Sequence, residues 1–233
     1  MMNDNSFNII AFVFARGGSK GVPRKNVKLL NNKPLIAYSI EMAKRVPGVD
    51  KVYVSTDDNE IADVSVRYGA DIIERPAELS TDTASEWMAW RHAVEYLQDQ
   101  GITFNTFLSL PATSPCRNLN DVVQCVEMLD DQTDMVVTAS PSYRNPYYNM
   151  ITLDDDAYCH VVIEGVTAHG RQDAPITYDM TTVAYVCRPS FILSADGVLA
   201  GRTRSTIIPR ERSIDIDTAY DFKMAEVLMH EEI

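Results

Sequence analysis

The chain has 233 residues, of which 45% are hydrophobic and 23% charged, a balance that describes a folded globular protein and excludes a disordered one. Its 33 acidic and 21 basic side chains leave a formal charge of −12, which argues against general nucleic-acid binding, since phosphate contacts need a positive surface. The apolar runs are of strand length, too short to span a membrane, and residues 1–8 lack the pattern of a secretory signal. Cys116, Cys125, Cys159 and Cys187 form no CxxC pair, so reduced thiols and a cytoplasmic location are expected.

Residues 8–15 (NIIAFVFA) are a continuous apolar run reaching towards glycine, the pattern of a strand buried on both faces. A helix is predicted from Pro34, in its first turn, to the basic Lys44 and Arg45 in its last. There follow a strand over 51–56, a helix over 58–68 stopped by Gly69, a strand over 71–74 and a helix over 83–100 ending near Gly101. The alternation continues with a strand over 106–110, a helix over 118–130 and a strand over 135–140. Residues 141–180 break it with prolines, Tyr143, Tyr147 and Tyr148, and a hairpin pattern near 153–165. A stretch this long reads as an insertion with its own role, an interface or a lid. A strand over 181–187, a short helix near 189–195, and a last strand and helix from 205 complete the chain. The expected fold is α/β, a single three-layer domain over 1–233 with a mostly parallel sheet and helices on both faces.

The charge is not evenly spread. Between Asn5 and Ile40 there is no acid, while Arg16, Lys20, Arg24, Lys25, Lys28 and Lys33 fall in that stretch. In a parallel sheet, ligands bind beyond the carboxyl ends of the strands, where residues 16–26 leave the first one. Gly17, Gly18 and Gly21 would let backbone N–H groups approach an anion, and Arg16, Lys20 and Lys25 would supply charge. The loop fits neither GxxxxGK[ST] nor GxGxxG, so a P-loop phosphotransferase and a dinucleotide-dependent dehydrogenase are both disfavoured.

The segment SIDIDT (213–218), if extended, puts Asp215 and Asp217 on one face and Ile214 and Ile216 on the other. Two such carboxylates suit Mg²⁺ shared with substrate phosphates; Asp217 or Thr218 could equally cap the helix that follows. In RPAELSTDTASEW (75–87), Arg75 closes a strand, either as a ligand contact or in a surface ion pair. Thr83 or Ser85 is expected to cap the next helix, with Glu86 completing a capping box from Thr83. Asp57 or Asp58 is expected to cap the helix after TDD (56–58). His92, His160, His169 and His230 have no metal-ligand spacing, and there is no GxSxG, so covalent catalysis has little support.

In chain order, ARGGSKGVPRKN, VYVSTDD, RPAELSTDTAS, TSP (113–115) and SIDIDT together resemble the motifs of the acylneuraminate cytidylyltransferase family. The resemblance runs nearly the whole length, and the related synthetases for Kdo are less similar. It implies a Rossmann-like nucleotidyltransferase fold, CTP as donor, Mg²⁺ as cofactor and a nonulosonic (sialic-type) acid as acceptor. Position by position, it implies that Arg16, Lys20 and Lys25, with Gly17 and Ser19 of the same loop, hold the triphosphate. Asn26, Arg75 and Ser85 would meet the cytidine, and Asp215 and Asp217 the metal. Arg16, Lys20 and Asp217 would carry the catalytic burden. Arg171 in GRQDAP and Tyr185 would face the sugar. It also implies a homodimer with shared active sites, residues 141–180 reaching into the partner, and a product bound for surface polysaccharides.

Three departures fall on the acceptor side. Pro111-Ala112 stands where sialic-acid members carry Gln-Pro, Tyr148 replaces a lysine, and residues 179–182 replace Arg-Pro-Asn-Gly. A legionaminic- or pseudaminic-type acceptor fits this pattern. Two other readings of the residues are a DxD glycosyltransferase using Mg²⁺ and a non-catalytic nucleotide-binding module.

Overall fold

The computed structural model describes residues 8–165 and 170–230. Strands β1 (Ile9–Phe14), β2 (Leu29–Leu30) and β3 (Lys33–Pro34) precede helix α1 (Leu35–Arg45). They are followed by β4 (Val49–Thr56), α2 (Asn59–Arg67), β5 (Asp71–Glu74), α3 (Glu86–Asp99), β6 (Thr106–Ser109) and α4 (Leu119–Glu127). The second half holds β7 (Met135–Pro141), β8 (Ile151–Leu153), β9 (Cys159–Val161), β10 (Tyr178–Cys187), α5 (Pro189–Ser194), β11 (Thr203–Ile207) and α6 (Ala219–Leu228). Seven strands form one sheet in the order β11-β7-β10-β6-β1-β4-β5. All its pairings are parallel except those of β10, which runs antiparallel to β6 and β7.

The three layers follow from strand alternation. On β1, Ile9, Ala11 and Val13 join the core formed with α1, α2 and α4, while Ile10 and Phe12 join the one formed with α3 and α5. This is why the run has no polar beat: both faces are covered. The second core is aromatic. Phe12 stacks on Phe107 at 4.6 Å, and Trp90 lies 5.3 Å from Phe107 and 5.2 Å from Tyr185. A third cluster, Val22, Leu30, Leu35, Ile216, Phe222 and Ala225, fastens α6 and the segment before it beneath the carboxyl end of β1.

Several boundaries differ from expectation, each for a local reason. Asn31 and Asn32 adopt φ of 46° and 64°, closing a two-residue hairpin between β2 and β3. Pro34 therefore ends β3 and stands at the cap of α1, outside its first turn. Helix α3 begins at Glu86, and the Thr83–Glu86 box does not form: Ser85 is the N-cap without a side-chain bond, and Glu86 accepts from Trp90 Nε1 at 3.3 Å. Strand β10 starts at residue 178 and β11 at 203, and the small hairpin β8–β9 sits slightly earlier than anticipated, as a separate two-stranded sheet. Segment 213–218 belongs to no strand. Asp58 caps α2 by accepting from the Ile61 N–H at 3.0 Å, and Thr218 caps α6 in a reciprocal box with Asp221. Among the described residues, no helix is long and apolar enough to cross a membrane.

Candidate active site

At the carboxyl end of β1 the chain enters residues 15–24, which three anchors hold in place. The Gly17 N–H donates to Asp57 Oδ1 at 3.0 Å, Asn26 Nδ2 donates to the Arg16 carbonyl at 3.2 Å, and Arg24 is held by Asp58 and Glu60. Arg24 is the main reason the Asp58 carboxyl falls to about 2. Two of the glycines also have a packing reason for lacking a side chain, which the sequence does not reveal. A Cβ on Gly17 would lie 2.7 Å from Asp58 Oδ2, and one on Gly21 only 1.9 Å from the Asp217 carbonyl oxygen; Gly18 alone of the three faces open space. Gly21 thus lets the N-terminal loop touch the backbone of the distant SIDIDT segment. Lys25 reinforces the contact, donating to the Ile216 carbonyl and lying 3.2 Å from Asp217 Oδ1.

The segment behaves as its alternation suggests although it is not a strand. Ile216 is fully buried, its N–H donating to the Thr113 carbonyl at 2.8 Å, and Ile214 packs on the same cluster. Asp215 and Asp217 line the cleft. Burial raises the Asp215 carboxyl, the Thr113 and Thr182 hydroxyls pull it down, and the Asp217 charge raises it further. Asp215 Oδ1 is buried with no hydrogen-bond partner among the described residues. A desolvated, unpartnered carboxylate oxygen beside a second carboxylate is a donor set that fits a hard divalent cation. Among the described residues no cluster of three or more ligating side chains exists, so further ligands would come from substrate phosphate or water.

Between loop and segment lies a cleft of about 540 Å³. From the loop, Arg16, Ser19, Lys20 and Lys25 line it; Asn26 and Arg75 line it as well. Arg75 is buried, pinned by its Nε to Ser55 Oγ (3.1 Å) and by Nη2 to the Ser55 carbonyl (2.7 Å), with its guanidinium 5.6 Å from the Phe14 ring. Of the two readings open for it, surface ion pair and cleft contact, the structure gives the second position. Gly17, Ser85 and Tyr185 are not in the lining. Tyr185 is packed against Trp90 in the aromatic core, where burial pushes its phenol up. Arg171 opens a short 3₁₀ turn, Arg171–Asp173, and its side chain lies outside the described residues, as does His169.

Asp82 and Arg117 were not singled out from sequence, and Glu86 was expected only as a helix cap. Asp82 receives Arg16 Nη1 at 2.7 Å and Lys20 Nζ at 2.5 Å, and Lys20 and Arg16 together hold its carboxyl below the usual range. Glu86, open to the cleft but surrounded by protein, has its carboxyl raised by desolvation. Arg117 is 4% exposed and grips Ser39 Oγ at 2.9 Å and the Pro111 carbonyl, setting the turn whose Thr113 holds the SIDIDT segment. Its signal in the sequence was an arginine two residues after TSP, with no acid beside it to suggest an exposed pair.

The sequence profile of the cytidylyltransferase family matches residues 10–229. The chain belongs to that family. It is 35% identical to post-translational flagellin modification protein B of Campylobacter coli over 96% of each chain. It is 32% identical to CMP-N,N'-diacetyllegionaminic acid synthase of Campylobacter jejuni, over 95% of this chain and 94% of that one. A solved structure of CMP:2-keto-3-deoxy-manno-octonic acid synthetase complexed with CTP shares the fold, with a TM-score of 0.71, 17% identity and coverage of 97% and 99%.

If a polyphosphate binds at Arg16 and Lys20, it competes there with the Asp82 carboxylate. Exposed ion pairs are individually weak, so removing this competitor should tighten inorganic tripolyphosphate binding about two- to fivefold in Asp82→Asn, measured by calorimetry. Weaker binding in that variant would instead make Asp82 part of the binding site.

Proposed function

We propose that the chain transfers CMP from CTP to the anomeric hydroxyl of a nonulosonic (sialic-type) acid and releases pyrophosphate. The observation that carries this reading is the meeting, in one cleft, of the loop cations Arg16, Lys20 and Lys25 with Asp215 and Asp217. Family membership supports it and displaces the glycosyltransferase reading; relatives named for the synthesis of such CMP-sugars support the acceptor class.

The chemistry is an in-line displacement. The anomeric oxygen bonds to the α-phosphorus as the bond to the β-phosphate oxygen breaks, the hydroxyl proton is lost, and pyrophosphate departs. Catalysis then rests on positioning and charge neutralisation. Arg16, Lys20 and Lys25 would neutralise the leaving pyrophosphate. Arg75, fixed by Ser55, and Asn26 would orient the cytidine. Asp215 and Asp217 would hold Mg²⁺, which when bound lowers the pKa of the attacking hydroxyl and neutralises the α-phosphate. The departures at Ala112 and Thr182 both fall in the cleft lining and favour an acceptor of the legionaminic or pseudaminic type.

A homodimer is part of the same proposal. Within 141–180, Ile151, Leu153, Tyr158, Ile176 and Met180 are each more than half exposed, at 53%, 62%, 69%, 81% and 51%. Exposed apolar side chains on one excursion support an interface, and its place in the chain suits a second copy covering the acceptor side.

The direct assay is pyrophosphate release from CTP with Mg²⁺ and a panel of nonulosonic acids. Lys20→Ala and Asp217→Ala are expected to lose on the order of 10²–10³ in kcat with unchanged melting temperature. Tight CTP binding with no release for any acid would favour the non-catalytic module. Sedimentation at micromolar concentration should show a dimer, with Leu153→Asp and Tyr158→Asp shifting it towards monomer; a wild-type monomer would refute the interface.

A further inference from the structure

A second cavity, of about 270 Å³, opens beside the first and shares Thr182 and Asp215 with it. Its lining mixes Ser140, Thr181 and Ser213 with Met180 and Ile214, and its one basic side chain is Arg210. Nothing in the nucleotide chemistry uses Arg210.

The surroundings fix this guanidinium without neutralising it. Its backbone belongs to a short 3₁₀ turn, Arg210–Arg212, tied to α4 by the two bonds of Arg212 to the Asp121 carboxylate, each 2.9 Å. Its guanidinium lies 4.4 Å from the centre of the Tyr143 ring, which the insertion supplies and which Arg144 also approaches at 4.9 Å. Among the described residues no carboxylate forms a salt bridge with Arg210. The acids of the cavity wall are otherwise engaged: Asp179 accepts from Ser142 Oγ at 2.8 Å, and Asp221 accepts from the Thr218 N–H and Oγ1 at 2.7 and 2.8 Å. Asp215 lines both cavities and lies where they join. In a chain of charge −12, an arginine held on an aromatic ring, lining a cavity and paired with no carboxylate among the described residues is positioned for an external anion.

We propose that this second cavity is the acceptor subsite and that Arg210 anchors the carboxylate of the sugar acid. The inference rests on the cytidylyltransferase reading above, which supplies the acceptor. In a nonulosonic acid, the carbon that carries the reacting hydroxyl also carries the carboxylate. Gripping the carboxylate at Arg210 therefore turns that hydroxyl towards the wall that holds Asp215, where the two cavities join. The hydroxyls of the lining match a polyol, and Met180 and Ile214 offer apolar surface to its acyl substituents.

The test is steady-state pyrophosphate release by wild type, Arg210→Met and Arg210→Lys, with an accepted acid and with its methyl ester. Losing a charge-assisted anchor should raise KM for the acid about ten- to a hundredfold in Arg210→Met. KM for CTP should stay within twofold (roughly the scatter of a remote change), and Arg210→Lys should recover part of the loss. On the ester, which has no charge to grip, wild type and Arg210→Met should perform alike. A CTP-induced rise in melting temperature equal to that of wild type will show that the variant is folded. An unchanged KM for the acid, or an equal rise for acid and ester, overturns the role of Arg210 and leaves the cytidylyltransferase reading standing. A wild-type protein that releases no pyrophosphate with any acid overturns both.

Discussion

The backbone contact between Gly21 and the Asp217 carbonyl is the constraint on which the site depends. It joins a loop near one end of the chain to a segment near the other, with no room for a Cβ between them. Everything else in the cleft is arranged around that junction. Lys25 crosses it, Ile216 and Val22 bury its underside in one apolar cluster, and the turn set by Arg117 presents the Thr113 carbonyl to the Ile216 N–H. The sheet brings the loop to its carboxyl edge; the third core cluster brings the carboxylates to the loop.

Charge segregation in the sequence acquires a physical meaning here. Each cation of the loop is met by an acid from elsewhere, but the partners differ in permanence. Arg24 is gripped by Asp58, which also caps α2, and this pair is structural. Asp58 has a folded pKa below its ordinary 3.8, so its contribution to stability is complete above that value and is lost as pH falls towards about 2. Arg16 and Lys20 share only Asp82, on an exposed loop. Exposed pairs contribute about 0–1 kcal/mol, so Asp82 is a partner that a more highly charged anion could displace at small cost.

Much of this was legible in the sequence because the relevant signals are periodic or compositional. The double-sided burial of β1, the βα alternation, the acid-free loop and the division of SIDIDT into inward isoleucines, Ile216 fully and Ile214 partly buried, and cleft-lining aspartates all follow from residue order. What was not legible depends on partners distant in the chain. Nothing local reveals that Asp58 and Asp217 press against Gly17 and Gly21. The Thr83–Glu86 box has the right spacing, yet Glu86 bonds Trp90 while Asp82 draws the preceding loop towards Arg16. The Asn31-Asn32 turn did carry a local signal, since asparagine tolerates positive φ. Arg210 carried none: its meaning lies in a tyrosine from the insertion and a cavity wall from β10.

The most direct measurement is a crystal structure of the protein with CTP and Mg²⁺. Phosphate oxygens are expected on Arg16 and Lys20 with Asp82 displaced, and the metal on the carboxylates of Asp215 and Asp217. A triphosphate bound outside this cleft, or Asp82 still holding both cations with CTP in place, would contradict this expectation.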